Sequence, residues 1–569
     1  MSKRKKARPA RPKEAGASVK AGPAESFWDE AETWLAKNGR WLLLPGWFFF
    51  TALYLSLASD ELGGVLGGDN ARYLMLARAL AQGKGYRDLY FPAAPVHAQY
   101  PFLFPLLLSV FAESSRQVFY SHILILVFAS LLPLLACGWA RLEGESRLKS
   151  LLVFFLVGSI PAWYSSLLNI LTEAIFIFFM FLALFILSYA KRRGFDIYRA
   201  LLLSLSIWAS AMVREVGLVL FGAVLIGIFL DKDLRKVRVA RAPLWALVSV
   251  VFVPGYGAWT VRNMLSGEGG FYFKQFLAKN PYQPELGWLS IGDFFARIKT
   301  NLSIHIPHLA GFAFPAWLFK SQSMAFWLAA IFLALLLLGL VSRLLAKNFA
   351  AEMVFIFFFG VAAAWYFQEE RFSLPLLPLA GFYFVKGIDA AGKILRIKKP
   401  MLTVSVTAVI VIWQIGFMGW LCKKYHQTRT YPQSTVTVEG YGQWSSPVID
   451  ASKYSGYWLF GEEFWIGTGD WIVIQKVAGQ ILPKNAVIAC RKPTLAWYFA
   501  DRKATWYKFG ASPEEQWEHF KRNNITHILV SSGNRELVEM IKTYPGNFRF
   551  LAVIQRSGLG LAELNYPAE

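Results

Sequence analysis

The chain has 569 residues, of which 55% are hydrophobic and only 17% are charged, and its mean hydropathy is +0.39. Ordinary soluble domains carry about 25% charged residues, so this composition excludes a wholly soluble protein. The formal net charge of +22 does not indicate nucleic-acid binding, because much of the excess lies in an N-terminal tail and in short loops between apolar runs.

The N-terminal segment has two parts. MSKRKKARPARPK is basic and proline-rich, which is typical of disorder, whereas FWDEAETWLAKNGRW (27–41) is amphipathic and is expected to lie at a membrane interface. Residues 1–40 are therefore predicted to form a basic cytoplasmic tail and an interfacial helix. No small-residue cleavage site follows the first apolar run, which argues against a signal peptide.

Residues 41–420 contain continuous apolar runs that approach the ~20 residues needed to cross a bilayer. The runs are 41–58, 117–140, 148–163, 171–190, 198–212, 214–230, 243–262, 323–345, 352–367, 373–388 and 401–420. Since they are continuous rather than alternating, they indicate helices and not a barrel. We predict a polytopic α-helical membrane protein with about 11 spans (11–13 possible).

The loops between these runs predict the orientation of the chain. If the N-terminus is cytoplasmic, alternation places four loops rich in Lys and Arg inside: RLEGESRLK (141–149), KRRGFDIYR (191–199), DKDLRKVRVAR (231–241) and KGIDAAGKILRIKK (386–399). The same alternation places outside the first outer loop (59–116), the loop 263–322, the turn 368–371 and everything after residue 421. A multi-pass protein of the plasma or inner membrane is expected.

The segment 421–569 has a different pattern, in which short β-rich runs alternate with helical ones. AVIAC (486–490), ATWYKF (504–509), THILVSS (526–532) and FRFLAVI (548–554) are typical of strands, and 471–482, 514–523 and 536–543 of helices. This alternation predicts a small extracytoplasmic α/β domain with a largely parallel sheet. No GxGxxG motif follows a strand, so a nucleotide site is not indicated.

The cysteines and histidines are few. Cys422 and Cys490 would both lie outside, where they could pair, although spacing alone leaves this open. The sequence has no CxxC and no HExxH motif, which argues against a zinc hydrolase.

The stretch LGGDNARYLMLARALAQGKGY (66–86) raises a specific question, because an Asp stands between two glycines and a helix just after the first apolar run. One hypothesis is that Asp69 is an N-cap. Tyr73, Leu76, Ala77 and Leu80 then follow an i, i+3, i+4, i+7 stripe, which predicts an amphipathic helix over about 70–82 on the outer membrane face.

Other ionisable residues cluster on the same predicted side. They are Glu173 at the start of a span, Arg214 in an outer turn, Arg262 at the end of a span, and Glu369, Glu370 and Arg371 in a tight outer turn. Such residues at helix ends often only mark the interface. Carboxylates combined with arginines also suit chemistry on a phosphate-bearing substrate, where one carboxylate accepts a proton and the arginines bind phosphate.

Several stretches resemble the GT-C superfamily of integral-membrane glycosyltransferases, in particular protein O-mannosyltransferase and lipid A aminoarabinose transferase relatives. These stretches are GGDNARYLMLARALAQGKGY, HAQYPFLFPLLLSVF, LTEAIFIFF, RFSLPLLPLAGF and AVIACRKPTLAWYFADRKATWY. Each is short, and their order and sidedness are more specific than any one of them. GDWIVI and GQWSSP do not match the WWDYG-type motif of oligosaccharyltransferase relatives, which disfavours that branch.

The resemblance implies transfer of a sugar from a polyprenyl-phosphate donor to a glycan, lipid or protein acceptor. Asp69 matches the family's loop acid and is expected to be the general base, with Glu173 as a second acidic group. The other site residues expected to bind substrate are Tyr73, Arg72, Arg214, Arg262, Arg371 and Tyr100. Relatives more often have two adjacent acids, whereas here Asn70 follows Asp69, so no ligand set for a divalent metal is assigned and no other cofactor is expected.

Two other functions are compatible with the pattern. A transporter or flippase of lipid-linked sugars would also need a charged outer cavity, but it should show inverted repeats and charges near span centres, and neither is evident. A structural assembly protein that binds a partner through its α/β domain is the third possibility.

Overall fold

The computed structural model describes residues 23–60, 62, 68–267, 269–281, 283–313, 322–396, 399–426, 435–439, 442–445, 462–531 and 533–566. The basic tail MSKRKKARPARPK lies outside these residues, as does Gly67 before the Asp69 turn.

The first three quarters of the chain form a helical bundle, and each predicted apolar run falls on one of its helices. The helices are α1 (Pro23–Leu55), α2 (Asp69–Ala81), α3 (Leu103–Ser109), α4 (Gln117–Leu142), α5 (Arg147–Gly158), α6 (Trp163–Leu167), α7 (Glu173–Arg193), α8 (Ile197–Val213), α9 (Gly217–Leu230), α10 (Lys232–Lys236), α11 (Leu244–Leu265), α12 (Phe271–Leu277), α13 (Ile291–Ala310), α14 (Gln322–Leu345), α15 (Ala350–Ala364), α16 (Leu377–Ile394) and α17 (Lys399–His426). A two-residue hairpin, β1 (Arg238–Val239) and β2 (Ala242–Pro243), lies between α10 and α11.

The chain is a multi-span membrane protein. Six of the described segments are long and apolar enough to cross a bilayer: Gln117–Leu142, Glu173–Arg193, Leu244–Leu265, Phe326–Leu345, Arg371–Ile394 and Leu402–His426. The apolar helices α8, α9 and α15 are shorter, with 10–17 residues. A 3₁₀ helix, Glu370–Leu376, leads directly into α16.

The N-terminal helix differs from the prediction of a separate interfacial helix and first span. α1 is one helix of 33 residues, about 50 Å long at 1.5 Å per residue and so longer than the ~30 Å hydrocarbon core. Its polar first half is joined to the start of α5. The Glu32 carboxylate accepts hydrogen bonds there from the backbone N–H groups of Arg147 and Leu148, both at 2.9 Å.

Close helix packing fixes the middle of the bundle. Gly339 of α14 lies against the Tyr383 carbonyl of α16, and Gly387 of α16 lies against the backbone of Leu335, with no room for a Cβ at either glycine. Small residues that allow two backbones to approach are a common way to join helices in a membrane. This pair of contacts locks the segment that follows Arg371 to its neighbour.

The C-terminal region is a mixed α/β layer. It comprises β3 (Thr435–Val438), β4 (Gly442–Ser445), α18 (Glu462–Ile481), β5 (Val487–Ala489), α19 (Pro493–Ala500), β6 (Lys503–Thr505), α20 (Pro513–Arg522), β7 (His527–Val530), α21 (Arg535–Thr543), β8 (Phe548–Ile554) and β9 (Leu559–Leu564). The predicted strands and helices are present, but the prediction of a largely parallel sheet is wrong. In the strand order β4-β3-β8-β9-β7-β5-β6, only β5 pairs in parallel, with β6 and β7.

The antiparallel part of the sheet has a local cause. β8 and β9 form a hairpin, with Gly558 in the turn at φ +61°, and β9 then pairs antiparallel with β7. A glycine at positive φ lets the chain reverse tightly. β9 therefore returns directly beside β8, instead of crossing over through a helix.

The helix α2 is also different from the amphipathic surface helix that was predicted. Its residues Asn70, Ala71, Tyr73, Leu74, Met75, Leu76, Ala77 and Ala79 are all buried, which covers more than one face. Both α3 of the membrane part and α19 of the C-terminal region pack against it. The second of these contacts comes from residues more than 400 positions away, so the local pattern could not predict it.

Candidate active site

The first turn of α2 shows whether Asp69 is the N-cap of this helix. The N-cap of α2 is Gly68, in the left-handed conformation at φ +78°, and Asp69 is the first helical residue. A Cβ at Gly68 would also lie 3.0 Å from Oγ1 of Thr494, so both backbone strain and space require glycine there. The hypothesis that Asp69 is an N-cap is therefore wrong, and its carboxylate makes tertiary contacts instead.

Asp69 has two strong partners from distant parts of the chain. The Tyr100 hydroxyl donates to Oδ1 at 2.7 Å, and Nη1 of Arg371 donates to Oδ2 at 2.9 Å. Nε of Arg371 also lies 2.5 Å from a carboxylate oxygen of Glu369. Arg371 and Asp69 remain 29% and 23% exposed, so a substrate can reach this ion pair.

The protonation state of Asp69 follows from these contacts. Burial alone would raise the pKa of this carboxyl, but the Arg371 guanidinium and the Tyr100 hydroxyl outweigh it and hold the pKa below the ordinary value of 3.8. The position at a helix N-terminus also favours negative charge. Asp69 is therefore a carboxylate at neutral pH.

A second ion pair lies beside the first. Glu173 is the first residue of α7 and only 1% exposed, and its Oε1 accepts from Nη1 of Arg214 at 2.6 Å. Its other oxygen, Oε2, has no hydrogen-bond partner among the described residues. The Arg214 guanidinium also lies over the ring of Phe372, next to Arg371 in the chain. A buried carboxylate oxygen of this kind can accept a hydrogen bond from a substrate hydroxyl.

Tyr73 stands between the two ion pairs. Burial and the carboxylates of Asp69 and Glu173 raise the pKa of its hydroxyl, while Arg214 and Arg371 oppose that change. Its ring also lies 4.8 Å from the ring of Tyr100. Four charges and two tyrosines thus meet at one end of the bundle.

The first outer loop holds Tyr100 in place through a buried network. The Tyr100 backbone N–H donates to Nε2 of His97 at 2.8 Å, and Nδ1 of His97 lies 3.0 Å from both oxygens of Asp88. Because Nε2 is an acceptor, Nδ1 carries the proton of a neutral imidazole. Burial and the nearby Arg72 lower the pKa of His97 to about 4, which agrees with this tautomer.

Arg72 belongs to this scaffold. Its Nε and Nη2 donate to the two Asp88 oxygens at 3.3 and 3.2 Å, and its Nη1 donates to Gln99 at 2.6 Å. Burial would raise the pKa of Asp88, but hydrogen bonding from His97 and the charge of Arg72 lower it to about 2. The guanidinium also lies over the ring of Tyr100.

Arg262 likewise holds the outer loop. Its Nη1 donates to the His97 carbonyl at 2.7 Å and its Nη2 to the Tyr86 carbonyl at 3.2 Å. The guanidinium lies between the rings of Tyr86 and Trp259. Of the residues predicted for the site, the structure thus brings six together around the ion pairs: Asp69, Tyr73, Tyr100, Glu173, Arg214 and Arg371. Arg72, in α2, and Arg262, in α11, lie behind them and hold the first outer loop.

The C-terminal region covers the start of α2. Oγ1 of Thr494 donates to the Gly68 carbonyl at 3.2 Å, and the Ala504 N–H donates to the Tyr90 carbonyl at 2.8 Å. Nζ of Lys503 donates to the carbonyls of Leu89 at 2.6 Å and Phe91 at 3.2 Å. The first outer loop is therefore enclosed between the bundle and this region.

Lys492 is a site residue that sequence reasoning missed. It is the N-cap of α19, and its Cδ would lie 3.8 Å from a Cβ placed on Gly68. Burial lowers the pKa of its ammonium, while Asp69 and Glu369 oppose that change. A signal existed in the sequence, because RKP puts two cations where a helix begins, and the helix dipole disfavours cations there.

Metal and disulfide chemistry find no support in the described parts of the chain. No group of three or more His, Cys, Asp or Glu residues there could hold a metal ion. Cys137, Cys422 and Cys490 are free and buried, so the pairing of Cys422 with Cys490 that was left open is not formed.

Comparison with solved structures identifies the fold. An oligosaccharyltransferase from Archaeoglobus fulgidus, tethered to an acceptor peptide containing the NVT sequon, aligns with a TM-score of 0.53 at 12% identity, over 94% of this chain and 75% of that chain. ArnT from Cupriavidus metallidurans bound to undecaprenyl phosphate aligns with a TM-score of 0.52 at 13% identity, over 93% and 99% of the two chains. ArnT in the apo state gives a TM-score of 0.51 at 14% identity, over 96% and 100%.

These matches confirm the predicted resemblance at the level of fold, since both proteins are GT-C membrane glycosyltransferases. No family model matches the sequence. The search of curated proteins likewise found no similar sequence. At 12–14% identity the comparison shows the architecture alone, so the chemistry has to be argued from the site.

Proposed function

We propose that the chain is an inverting membrane glycosyltransferase that moves a sugar from a polyprenyl-phosphate donor to an acceptor hydroxyl. The observation that carries this proposal is the Asp69–Arg371 pair. An ionised and partly exposed carboxylate lies 2.9 Å from a guanidinium, at one end of a bundle with the GT-C fold. A proton acceptor for the attacking hydroxyl and a cation for the leaving phosphate are the two groups that such a transfer needs.

The reaction uses the two groups in one step. The acceptor oxygen attacks the anomeric carbon of the donor sugar and gives its proton to Asp69. The bond between the anomeric carbon and the phosphate oxygen breaks, its electron pair stays on the phosphate, and Arg371 holds that charge. Tyr100 keeps the carboxylate aimed by its hydrogen bond at 2.7 Å. The products are the glycosylated acceptor with inverted configuration and a polyprenyl phosphate.

Donor binding strengthens the base in this scheme. Arg371 holds the pKa of Asp69 below its ordinary value, which makes the carboxylate a weak base in the free protein. A phosphate that binds Arg371 competes for the guanidinium and adds negative charge near Asp69, and both effects raise the pKa of Asp69. Asp69 is therefore a stronger base when the donor is bound than in the free protein, which limits proton transfer to Asp69 in the absence of the donor.

The second ion pair is assigned to the acceptor. Oε2 of Glu173, which has no hydrogen-bond partner among the described residues, accepts from a hydroxyl of the acceptor, while Arg214 holds the carboxylate in place. Tyr73 borders both pairs and contacts the sugar in this proposal. Arg72 and Arg262 contribute indirectly, by holding the loop that carries Tyr100.

The comparisons support the donor class. The ArnT structure contains undecaprenyl phosphate, and this chain covers 99–100% of the ArnT chain but 75% of the oligosaccharyltransferase. The acceptor is a hydroxyl of a glycan, a lipid or a protein, and the proposal assigns no metal to the site.

The orientation and the span count are part of the proposal. About eleven spans cross the plasma or inner membrane, the N-terminus is cytoplasmic, and Asp69 and the C-terminal region face outward. The two ends of α7 support this orientation. The helix begins at the site with Glu173. Its other end carries Lys191, which belongs to a segment predicted to be cytoplasmic and pairs with Asp231 at 2.5 Å.

The test compares cells with and without the chain. Envelope glycans, lipids and proteins are analysed by mass spectrometry, and the added mass identifies both the sugar and the acceptor. The purified protein is then given the corresponding polyprenyl-phosphate sugar and acceptor. Release of polyprenyl phosphate together with a glycosylated acceptor is the expected result, and an unchanged envelope in cells without the chain would contradict the proposal.

A further inference from the structure

Lys492 occupies a position that its own helix disfavours. It is the N-cap of α19, where the helix dipole is positive, and the exposed Arg491 precedes it. Two cations at this end cost stability unless negative charge lies nearby. The start of α2 lies against its side chain, since a Cβ placed on Gly68 would be 3.8 Å from Cδ of Lys492.

The groups that face Lys492 are those of the proposed active site. Asp69 and Glu369 attract its ammonium, while Arg371 and Arg491 repel it. Arg371 already pairs with both of these carboxylates. Asp69 is thus approached by Arg371 from the membrane part and by Lys492 from the C-terminal region.

A second observation points to a ligand beside Arg371. Glu173 is buried, and its Oε2 has no hydrogen-bond partner among the residues that the structure describes. The charge of Glu173 acts on Arg371 as that of Asp69 does. One unpartnered carboxylate oxygen suits a hydroxyl of the acceptor, and two cations near Asp69 suit the phosphate of the donor.

We propose that Lys492 binds the donor phosphate, so that the C-terminal region supplies part of the active site rather than only covering it. This inference rests on the proposed function for the class of donor. Arg371 and Lys492 contact different phosphate oxygens from two sides, and the charge that develops as the sugar leaves is shared between them. Lys492 acts as a point charge and Arg371 as a planar fork.

The test measures binding of undecaprenyl phosphate to the full-length protein, which requires no transfer. Lys492→Ala and Lys492→Gln should weaken binding about 10- to 100-fold, as expected when a charged hydrogen-bond partner is lost, and Lys492→Arg should retain most of it. Lys484→Ala is the matched control, because Lys484 is an exposed lysine of the same region that pairs with Asp501 at 2.7 Å. Undecaprenol, which lacks the phosphate, should bind all variants equally.

The outcomes separate the two proposals. If the parent binds undecaprenyl phosphate and Lys492→Ala binds it equally well, the inference about Lys492 is overturned and the proposed function stands. If Lys492→Ala weakens undecaprenol and undecaprenyl phosphate alike, Lys492 only holds the C-terminal region in place, and the inference is again wrong. If the parent does not bind the prenyl phosphate, the proposed donor class itself fails.

Discussion

Two charged clusters, one at each end of the helix bundle, are built from the same residue types. At the end opposite Asp69, Arg343 lies between Glu143 at 2.5 Å and Glu352 at 2.7 Å. Arg343 is 6% exposed and Glu352 is 1% exposed, whereas Arg371 and Asp69 are 29% and 23% exposed. The first arginine is enclosed by its partners, and the second can reach a substrate.

An open carboxylate oxygen does not by itself distinguish the clusters. Oε2 of Glu352, like that of Glu173, has no hydrogen-bond partner among the described residues. The difference lies in the neighbours, because Glu173 stands beside the accessible Arg371 and the tyrosines of α2 and the first outer loop. Glu352, on α15, is buried against Arg343 of α14. We therefore read the Arg343 cluster as structural and the Arg371 cluster as chemical.

The first prediction concerns which side of the membrane each cluster faces, and its effect is all or none. Single cysteines at Lys84 and Lys508, which are exposed near the Asp69 end, should react with an impermeant thiol reagent on intact cells. A cysteine at the exposed Arg193, at the other end, should not react. The three native cysteines are buried and give a low background. Equal labelling of Lys84→Cys and Arg193→Cys would refute the proposed orientation.

The second prediction is that Arg343→Ala lowers the free energy of unfolding by about 3–5 kcal/mol, because it leaves the buried Glu352 and the half-buried Glu143 without their cation. The transfer rate per folded molecule should stay unchanged. Arg116→Ala is the control: Arg116 pairs with Asp60 at 2.8 Å in solvent, and loss of such a pair should cost at most about 1 kcal/mol. Denaturation in detergent measures both. A loss of transfer in folded Arg343→Ala would show that the two clusters are not separate in role.

The third prediction is that Arg371→Ala lowers kcat/KM for the donor by roughly 30- to 150-fold, since about 2–3 kcal/mol is expected for a lost charged hydrogen-bond partner. Arg371→Lys should lose less, because it keeps the charge but not the two-pronged geometry. Kinetics with a purified donor measure this. Parental kcat/KM in both variants would remove Arg371 from the phosphate site.

The fourth prediction is a pH dependence of stability that arises at His97. Its pKa falls from 6.5 to about 4 in the folded protein, so the unfolded chain binds the proton more readily. The stabilisation is fully present above pH 6.5 and is lost as the pH falls to 4, by about 1–3 kcal/mol. The Asp88 carboxylate, with a pKa of about 2, stays ionised over this range. The melting temperature of the parent should fall between pH 6.5 and 4, and His97→Gln should flatten that slope; identical slopes would contradict this assignment.

The sequence predicts well what depends on local pattern. The helix over about 70–82, the acid at the start of α7 and the position of Arg371 before the last spans all follow from neighbouring residues. What local pattern cannot supply is a partner from far along the chain. Arg371 lies 302 positions from Asp69, and Lys492 and Thr494 are more distant still, so the local pattern offered an N-cap as one hypothesis for Asp69 and could not supply its partners.

The same limit explains the errors in the fold. α2 has an apolar stripe, as a surface helix would, but α19 also packs against it and its buried residues cover more than one face. The sheet has alternating helices and strands, as a parallel sheet would, but the β8–β9 hairpin brings β9 back antiparallel to β7. In each case a tertiary contact decides between two structures that the local sequence allows equally.

The most direct test of the account is the transfer rate of Asp69→Asn. Asparagine keeps the size of the side chain and can still accept the hydrogen bond from Tyr100, but it removes the charge and the proton acceptor. Since a general base contributes about 10²–10⁴-fold to rate, the account predicts at least a hundredfold loss of transfer from the polyprenyl-phosphate sugar, with undecaprenyl phosphate still bound and the protein still folded. Parental transfer in folded Asp69→Asn would contradict it.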